Sequence, residues 1–283
     1  MVSLVVCGRN CEDTLPNCLK SIENLSYKNF ELIFVDGKSV DRSVEIAKRF
    51  EALVVSDSGN GLGYARHIGV EKSSGEFIGF IDSDIVAKPQ WIQVMLAALN
   101  DPVIAGAEDS YECGNPHFLP ARLECFSWKL FAKRRRKVKF QRAIGTANSM
   151  WRRSALIQVG NFDPAFRHTA EDVDISYRLR MAGFKLVKLY DPISYHFWRT
   201  TWKDLWSQYF WYGYGARQLR EKHKDLKFPW RIWLVMPYSC IKMSLQACLY
   251  FHDLRGLMLG LHYFYKMISW LSGYVWRMRY GAA

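Results

Sequence analysis

The sequence contains no Cys-x-x-Cys pair, so neither a zinc ribbon nor a thioredoxin-type motif can be built from it. Its glycine-rich turn, Gly59-Asn60-Gly61-Leu62-Gly63, is not followed by Gly-Lys-Ser/Thr, which excludes a Walker loop. The first strand-like run does not lead into Gly-x-Gly-x-x-Gly, which argues against a dinucleotide cofactor. No internal repeat and no low-complexity segment occurs. The start, Met-Val-Ser-Leu-Val-Val-Cys, lacks a basic segment and is too short and strand-like for a signal peptide. Acidic residues are in deficit: 27 Asp and Glu face 39 Lys and Arg, a formal charge of +12. Such a balance favours partners carrying negative charge, among them nucleic acid, nucleotide phosphates and an anionic membrane leaflet.

Apolar and aromatic residues are plentiful. Hydrophobic residues make up 49% and charged residues 23% of 283, the profile of a globular chain. Aromatics reach 15% and crowd the C-terminal third, where Trp198, Trp202, Trp206 and Trp211 lie close together. That points to a membrane interface or a sugar-binding surface more than to nucleic acid. The seven cysteines (Cys7, Cys11, Cys18, Cys113, Cys125, Cys240 and Cys248) are odd in number, and reduced thiols in a cytosolic compartment are the simplest expectation. Cys7, Cys11 and Cys18 read as small buried hydrophobes.

Strand and helix patterns alternate through the first half. Residues 2–7 are a short apolar run of β-branched residues, as in a strand buried on both faces, and 30–35, 53–55 and 77–81 read as three further strands. Leu15, Cys18, Leu19, Ile22 and Leu25 recur with helical spacing, Asp41 can cap a helix carrying Val44 and Ala47, and 62–70 follows the glycine-rich turn as a helix. Pro89 opens another, with Ile92, Leu96 and Leu99 inward. This alternation implies an α/β fold with a parallel, doubly wound sheet, whose ligands bind at the C-terminal ends of the strands. Three polar clusters fall at such ends: Gly8-Arg9-Asn10, Asp36-Gly37-Lys38-Ser39 and Asp82-Ser83-Asp84. All three should open onto one crevice. Residues 112–143 are less regular and include the basic run Lys133-Arg134-Arg135-Arg136-Lys137. Order resumes at 144–151, then a helix near 170–181 and a strand near 184–189. From Trp198 on, the pattern is helical and amphipathic, with apolar stretches at 232–251 and 254–276. Internal charges in both stretches favour helices lying in a membrane interface over true spans.

Each candidate residue has two readings. Asp82 and Asp84 can grip a divalent ion and, through it, a departing diphosphate, or can form an ordinary aspartate turn. Glu171-Asp172 opens a helix, where acidic residues also serve the helix dipole. His196 follows a strand, as a metal ligand or a polar surface residue. Arg66 can reach a phosphate or be a solvated arginine on a helix face.

The ordered set of segments Val-Ser-Leu-Val-Val (2–6), Phe-Val-Asp-Gly-Lys-Ser-Val-Asp (34–41), Gly-Leu-Gly-Tyr-Ala-Arg-His-Ile-Gly (61–69) and Ser-Gly-Glu-Phe-Ile-Gly-Phe-Ile-Asp-Ser-Asp (74–84) resembles glycosyltransferase family 2. Val-Gly-Asn-Phe-Asp (159–163), Ala-Glu-Asp-Val-Asp-Ile-Ser-Tyr-Arg-Leu-Arg-Met-Ala-Gly (170–183) and Tyr-His-Phe-Trp-Arg (195–199) continue it, so the likeness covers roughly 1–215. The resemblance implies the GT-A fold, a mostly parallel doubly wound sheet, here with a C-terminal amphipathic helical appendage. It implies inversion at the anomeric carbon and a nucleotide-sugar donor, UDP- or GDP-linked. It places Asp36, Arg66, Gly8, Arg9 and Ser83 at the nucleotide, and Asp82 at ribose or metal. Asp84 is the implied main ligand of a Mn2+ or Mg2+ ion, completed by His196. Asp172 is the implied general base with Glu171 beside it, and Asn148 is placed near donor sugar or acceptor. Two departures stand out: Arg9 occupies the position of an aromatic residue that packs on the base, and Lys38 separates Gly37 from Ser39.

These readings give a catalytic domain at 1–215, with a nucleotide half at 1–100 and an acceptor half at 101–215. A helical tail at 216–283 would hold the chain on the cytoplasmic face of a membrane. The expected activity is transfer of a sugar to a lipid-linked or membrane-proximal glycan, with no nucleic-acid partner. The competing classes are a sugar-phosphate nucleotidyltransferase, for which Cys7-Gly8-Arg9-Asn10 is too poor in glycine, and a non-catalytic basic membrane-binding protein.

Overall fold

The computed structural model describes residues 1–132, 138–227 and 230–281, without the side chains of 230–236, so the basic run at 133–137 lies outside the described residues. Two compact units emerge, one from Met1–Glu112 with Arg136–His196, the other from Cys113–Arg135 with Phe197–Ala283.

In the first unit, strands β1 (Val2–Gly8), β2 (Phe30–Asp36), β3 (Leu53–Ser56) and β4 (Phe77–Ile81) alternate with helices α1 (Leu15–Glu23), α2 (Ser43–Arg49) and α3 (Leu62–Lys72). A short strand β5 (Ile85–Ala87) and helix α4 (Trp91–Ala98) follow, then β6 (Ile104–Glu108) and a two-residue strand β7 (Glu112–Cys113). Helix α5 (Leu119–Ala132) leads to β8 (Val138–Gln141), β9 (Asn148–Arg152), α6 (Arg153–Gln158), α7 (Glu171–Met181), β10 (Lys185–Leu189) and β11 (Ser194–His196). Eight strands form one sheet in the order β3-β2-β1-β4-β9-β6-β10-β8. The pairs β1/β2, β1/β4, β2/β3 and β6/β10 are parallel, while β9 runs antiparallel between β4 and β6 and β8 runs antiparallel to β10. The expected α/β, mostly parallel sheet is therefore present. Its mixed centre comes from β9, whose direction no local pattern fixes.

The pleat sends alternate residues of β1 to opposite faces. Leu4 and Val6 join Leu15, Leu19, Ile22, Trp91 and Met95 in one core layer. Val5 joins Ile33, Phe80, Trp151, Phe162 and Ile175 in the other. Each fully buried aliphatic side chain contributes about 1.5–3 kcal/mol, so both faces must be covered by helices for the sheet to persist.

The second unit contains α5 and three long helices, α8 (Trp202–Lys222), α9 (Trp230–Phe251) and α10 (Leu259–Tyr280), with a 3₁₀ turn at Leu254–Met258. A β-carbon at Gly213 would fall 1.7 Å from the Trp270 carbonyl oxygen and one at Gly273 would fall 1.8 Å from that of Phe210. Helices α8 and α10 thus touch backbone to backbone, and larger residues there would prise them apart. Among the described residues no helix is long and apolar enough to cross a membrane.

Two expectations are corrected. The stretch read as irregular holds the fourteen-residue α5, whose Pro120 sits in its first turn, where the missing amide hydrogen costs nothing. The thiols are not all reduced: Cys113 and Cys125 form a disulfide across Cα atoms 5.6 Å apart, an ordinary separation. Their pairing removes the argument for a cytosolic compartment that free thiols would give. Cys18 is fully buried as expected, and burial pushes the Cys7 thiol up to about 12.

Candidate active site

The polar ends of β1, β2 and β4 do converge, because these are neighbouring parallel strands. Gly8 pairs in register with Asp36. The Gly37 amide donates to the Gly8 carbonyl at 2.8 Å, and the Asn10 amide donates to Ser39 Oγ at 2.9 Å, tying the two loops together. Both Asp36 carboxylate oxygens accept from the Ser39 amide at 3.2 Å. Arg9 is exposed above this pair of loops, and Ser83 is half-buried near Cys11.

The glycine-rich turn has a structural task. Gly61 sits at φ +98, and a β-carbon there would meet the Arg167 carbonyl oxygen at 2.4 Å. The first amides of α3 donate inward, Leu62 to Arg167 O at 2.8 Å and Gly63 to Phe166 O at 2.9 Å. Close approach of two chain segments, and no phosphate cradle, therefore requires glycine here.

One turn into α3, Arg66 is buried, only 2% exposed. Its Nη1 donates to Glu171 Oε1, and its Nη2 donates to Asp82 Oδ1 at 3.1 Å. The reading of a solvated arginine on a helix face is corrected: the guanidinium is buried and both its amino groups donate to carboxylates. Thr146 Oγ1 donates to the same Glu171 oxygen at 3.2 Å. Ala170 precedes α7 at φ 72, a left-handed conformation that costs a residue with a β-carbon about 1 kcal/mol or more. That bend turns Glu171 into the protein, 2% exposed, and leaves Asp172 half-buried beside it.

Asp172 accepts from the Val173 amide at 2.7 Å. Burial, aided by repulsion from Glu171, raises its carboxyl from 3.8 to about 7, while Arg66 pulls the other way. Asp82 is also raised, by burial first.

Asp84 meets His196 because β5 and β11 pair antiparallel with His196 opposite Ile85. Their side chains approach at 3.5 Å, Asp84 Oδ1 to His196 Nε2. The three-residue metal set of Asp82, Asp84 and His196 is not assembled: among the described residues no group of three such side chains could hold an ion. Asp82 is turned to Arg66 instead. Asn148 is built into the core. It is 0% exposed, its Oδ1 accepts from Trp91 Nε1 at 2.7 Å, and its Nδ2 donates to Asp109 at 3.0 Å and Ser194 at 2.5 Å. An amide so fully bonded holds β9 to its neighbours.

The sequence reading missed a further group at the end of β6. Glu108 pairs in register with Lys188 of β10 and accepts from its ammonium. Asp109 accepts from Ser194 Oγ at 2.7 Å and from the Ile193 amide, and burial lifts it to about 7. The Tyr111 ring lies 5.0 Å from that of His196. The adjacent acids Glu108-Asp109 were the available signal, hidden because Ile104-Ala-Gly-Ala has too little bulk to read as a strand.

Residues 3–160 match the profile of the family described as Glycosyl transferase family 2. The chain belongs to that family. Among similar proteins of the family, glycosyltransferase AglE of Haloferax volcanii is 25% identical over 207 residues, 69% of this chain and 66% of that protein. Putative glycosyltransferase EpsH of Bacillus subtilis is 37% identical over 105 residues, 35% of this chain and 30% of its own length. The chain thus spans about 30% of one of these relatives and 66% of the other. A solved mannosyltransferase from Pyrobaculum calidifontis, in complex with GDP-Man and Mn2+, superposes with a TM-score of 0.69 at 14% identity, covering 100% of this chain and 88% of that one. Glucosyl-3-phosphoglycerate synthase from Mycobacterium tuberculosis, in complex with Mn2+ and UDP, superposes at 0.56 with 19% identity over 80% and 81%. At such identities these superpositions speak for the GT-A fold.

Proposed function

We propose that the protein transfers a sugar from a UDP- or GDP-linked donor to an acceptor hydroxyl, with inversion at the anomeric carbon. The observation that carries this reading is Asp172: a half-buried carboxyl lifted to about 7, at a helix start joined through Glu171 and Arg66 to the strand end bearing Asp82. A general base works best when its pKa lies near the working pH. The two solved relatives that were crystallised with a nucleotide or nucleotide sugar support the donor class.

In this reading Asp36, Gly8, Arg9 and Ser83 hold the nucleotide, and Asp82, steadied by Arg66, meets the ribose. Asp172 takes the proton of the acceptor hydroxyl as that oxygen bonds to the anomeric carbon. The bond from that carbon to the diphosphate oxygen breaks on the opposite face, and the nucleoside diphosphate leaves with the electron pair. A carboxylate oxygen from Asp84 and an imidazole nitrogen from His196 suit a divalent cation such as Mn2+. Held there, Mn2+ or Mg2+ would neutralise charge on the departing diphosphate. With Asp84 and His196 as its protein ligands, the cation would bind together with the donor.

The acceptor reading is a lipid-linked or membrane-proximal glycan, with the C-terminal helices resting on the membrane. Tyr238, Ile241, Leu245 and Leu249 are exposed along one face of α9, and Leu261, Phe264 and Ile268 along α10. Exposed apolar stripes on helices that cannot span fit an interfacial position.

The test is release of nucleoside diphosphate from a panel of UDP- and GDP-sugars with Mn2+. A donor that yields product with the wild type and with no faster background supports the reading. Failure to bind or cleave any donor in the panel contradicts it.

A further inference from the structure

The acceptor end of the crevice carries a space that the transfer reading leaves without an occupant. Gly145 lies in the short loop before β9. That loop is pinned on both sides: the Ile144 amide donates to Ser176 Oγ at 3.2 Å, and the Asp82 amide donates to the Ala147 carbonyl at 2.8 Å. A β-carbon at Gly145 would lie 3.5 Å from Glu108 Oε1 and 3.9 Å from Asp172 Oδ2. Glu108 and Asp172 therefore flank one small space, open because residue 145 has no side chain. Gly145 is not in the left-handed region, and no contact of its would-be β-carbon is closer than these, so neither backbone nor crowding demands glycine.

Among the described residues the charges around this space are one-sided. Glu108 is answered by Lys188, and Arg66 is shared between Glu171 and Asp82. Among the described residues Asp172 forms no ion pair, although Arg66 acts on it at longer range, and the buried Glu171 Oε2 makes no hydrogen bond. Glu171 and Glu108 both act on Asp172 as repelling charges. An anionic nucleophile brought here would face this excess in a site of low dielectric, whereas a neutral hydroxyl would find acceptors on two sides.

We propose that Gly145 and Glu108 form the acceptor-positioning site, and that its occupant is a neutral polyol, a sugar with two neighbouring hydroxyls, and not a phosphate. One hydroxyl donates to Asp172 and is the nucleophile. Its neighbour donates to Glu108, which the ion pair with Lys188 holds in place across from the base. The methyl group of an alanine at 145 would fill the volume that the acceptor's ring edge needs, while water would still reach Asp172. This inference rests on the transferase reading above and adds the acceptor class and the residues that select it.

The experiment uses the full chain with the donor that the release assay identifies, a panel of octyl hexosides as neutral acceptors and dodecyl phosphate as the anionic one. The wild type is expected to transfer to one or more glycosides and not to the phosphate. Gly145→Ala should lower kcat/KM for the glycoside about 100-fold, the cost of misplacing a reactant by roughly 1 Å. Its affinity for the nucleoside diphosphate and its slow hydrolysis of donor in water should stay within about three-fold. Glu108→Gln should raise KM for the glycoside more than it lowers kcat. Equal glycoside transfer by Gly145→Ala and wild type overturns the inference. So does transfer to dodecyl phosphate in preference to the glycosides or to none of the panel, and so does loss of nucleotide binding together with transfer, which would make Gly145 structural. Absence of nucleotide binding and donor cleavage in the wild type would instead overturn the transferase reading and this inference with it.

Discussion

The two units each bury a cluster of charges, and the clusters behave in opposite ways. In the helical unit, Glu124 of α5 accepts from His262 Nε2 and Lys266 Nζ of α10, both at 2.7 Å. Burial alone would raise Glu124, but Lys266 and then His262 outweigh it and hold the carboxyl at about 2. Trp202 packs on His262 with ring centroids 5.7 Å apart, and the Lys266 ammonium lies 4.5 Å from the Tyr209 ring centroid. In the sheet unit, Arg66 serves two carboxylates, and Asp82, Asp109 and Asp172 are all raised because burial wins. A carboxylate answered by its own cation, Lys266, and by a further hydrogen bond from His262 is a closed structural joint. Carboxylates that outnumber their cations make a site whose balance a proton, a cation or a hydrogen-bonding ligand can change.

The comparison breaks most visibly at Asp172. Asp172→Asn keeps the size and removes the proton acceptor, so turnover should fall about 100-fold to 10,000-fold. Donor affinity, measured by calorimetry, should be retained. Turnover within a few-fold of wild type would remove Asp172 as the base.

The counterpart in the helical unit is Glu124→Gln. It leaves Lys266 buried without its carboxylate, so chemical denaturation should show a loss of about 3–5 kcal/mol. Nucleotide affinity should change by less than about three-fold. A larger change in affinity than in stability would mean that this cluster is not a closed joint.

The pH dependence sharpens the contrast, because the two shifts have opposite signs. Asp172 is raised, so the unfolded chain ionises it first, and its contribution to stability falls as pH rises from about 4 through about 7. Glu124 is depressed, so its contribution is complete above the ordinary carboxylate range and is lost as pH falls toward about 2. Denaturation of Asp172→Asn across pH 4 to 8 should therefore lose part of the wild-type decline. An unchanged slope would count against the raised carboxyl. Activity of the wild type should rise with pH up to about 7 and then level, as ionisation of a base requires.

The smallest effect concerns the exposed stripe on α9. Ile241→Lys with Leu245→Lys should reduce sedimentation with neutral phospholipid vesicles several-fold while leaving nucleotide affinity intact. Equal sedimentation of variant and wild type would remove that face from any membrane contact.

The sequence carried much of this in its periodicities. Strands β1 to β4 and their helices are legible because short apolar runs and helical spacing declare them, and parallel neighbours then bring Gly8, Asp36 and Asp82 to one edge. What stayed hidden depends on register or on short elements. Strands β5 and β11 have three residues each, too few for a period, yet their pairing is what sets His196 beside Asp84. Glu108 and Lys188 lie 80 residues apart and meet only through the β6/β10 register. Asn148, which the family resemblance sets near donor or acceptor, has three buried partners, Trp91, Asp109 and Ser194, that no local pattern announces. The Cys113–Cys125 disulfide and the joining of α5 to the C-terminal helices are likewise products of tertiary structure that no local spacing announces.

The central claim, that the negative excess at the strand ends is completed by a cation and a nucleotide-sugar donor together, is tested most directly by calorimetric titration of UDP and GDP into the wild type and Asp84→Ala, with and without Mn2+. The account predicts that one nucleotide binds the wild type at least about ten-fold more tightly with Mn2+ and that Asp84→Ala loses this gain. Equal affinity with and without the cation, or an undiminished Mn2+ effect in Asp84→Ala, would contradict it.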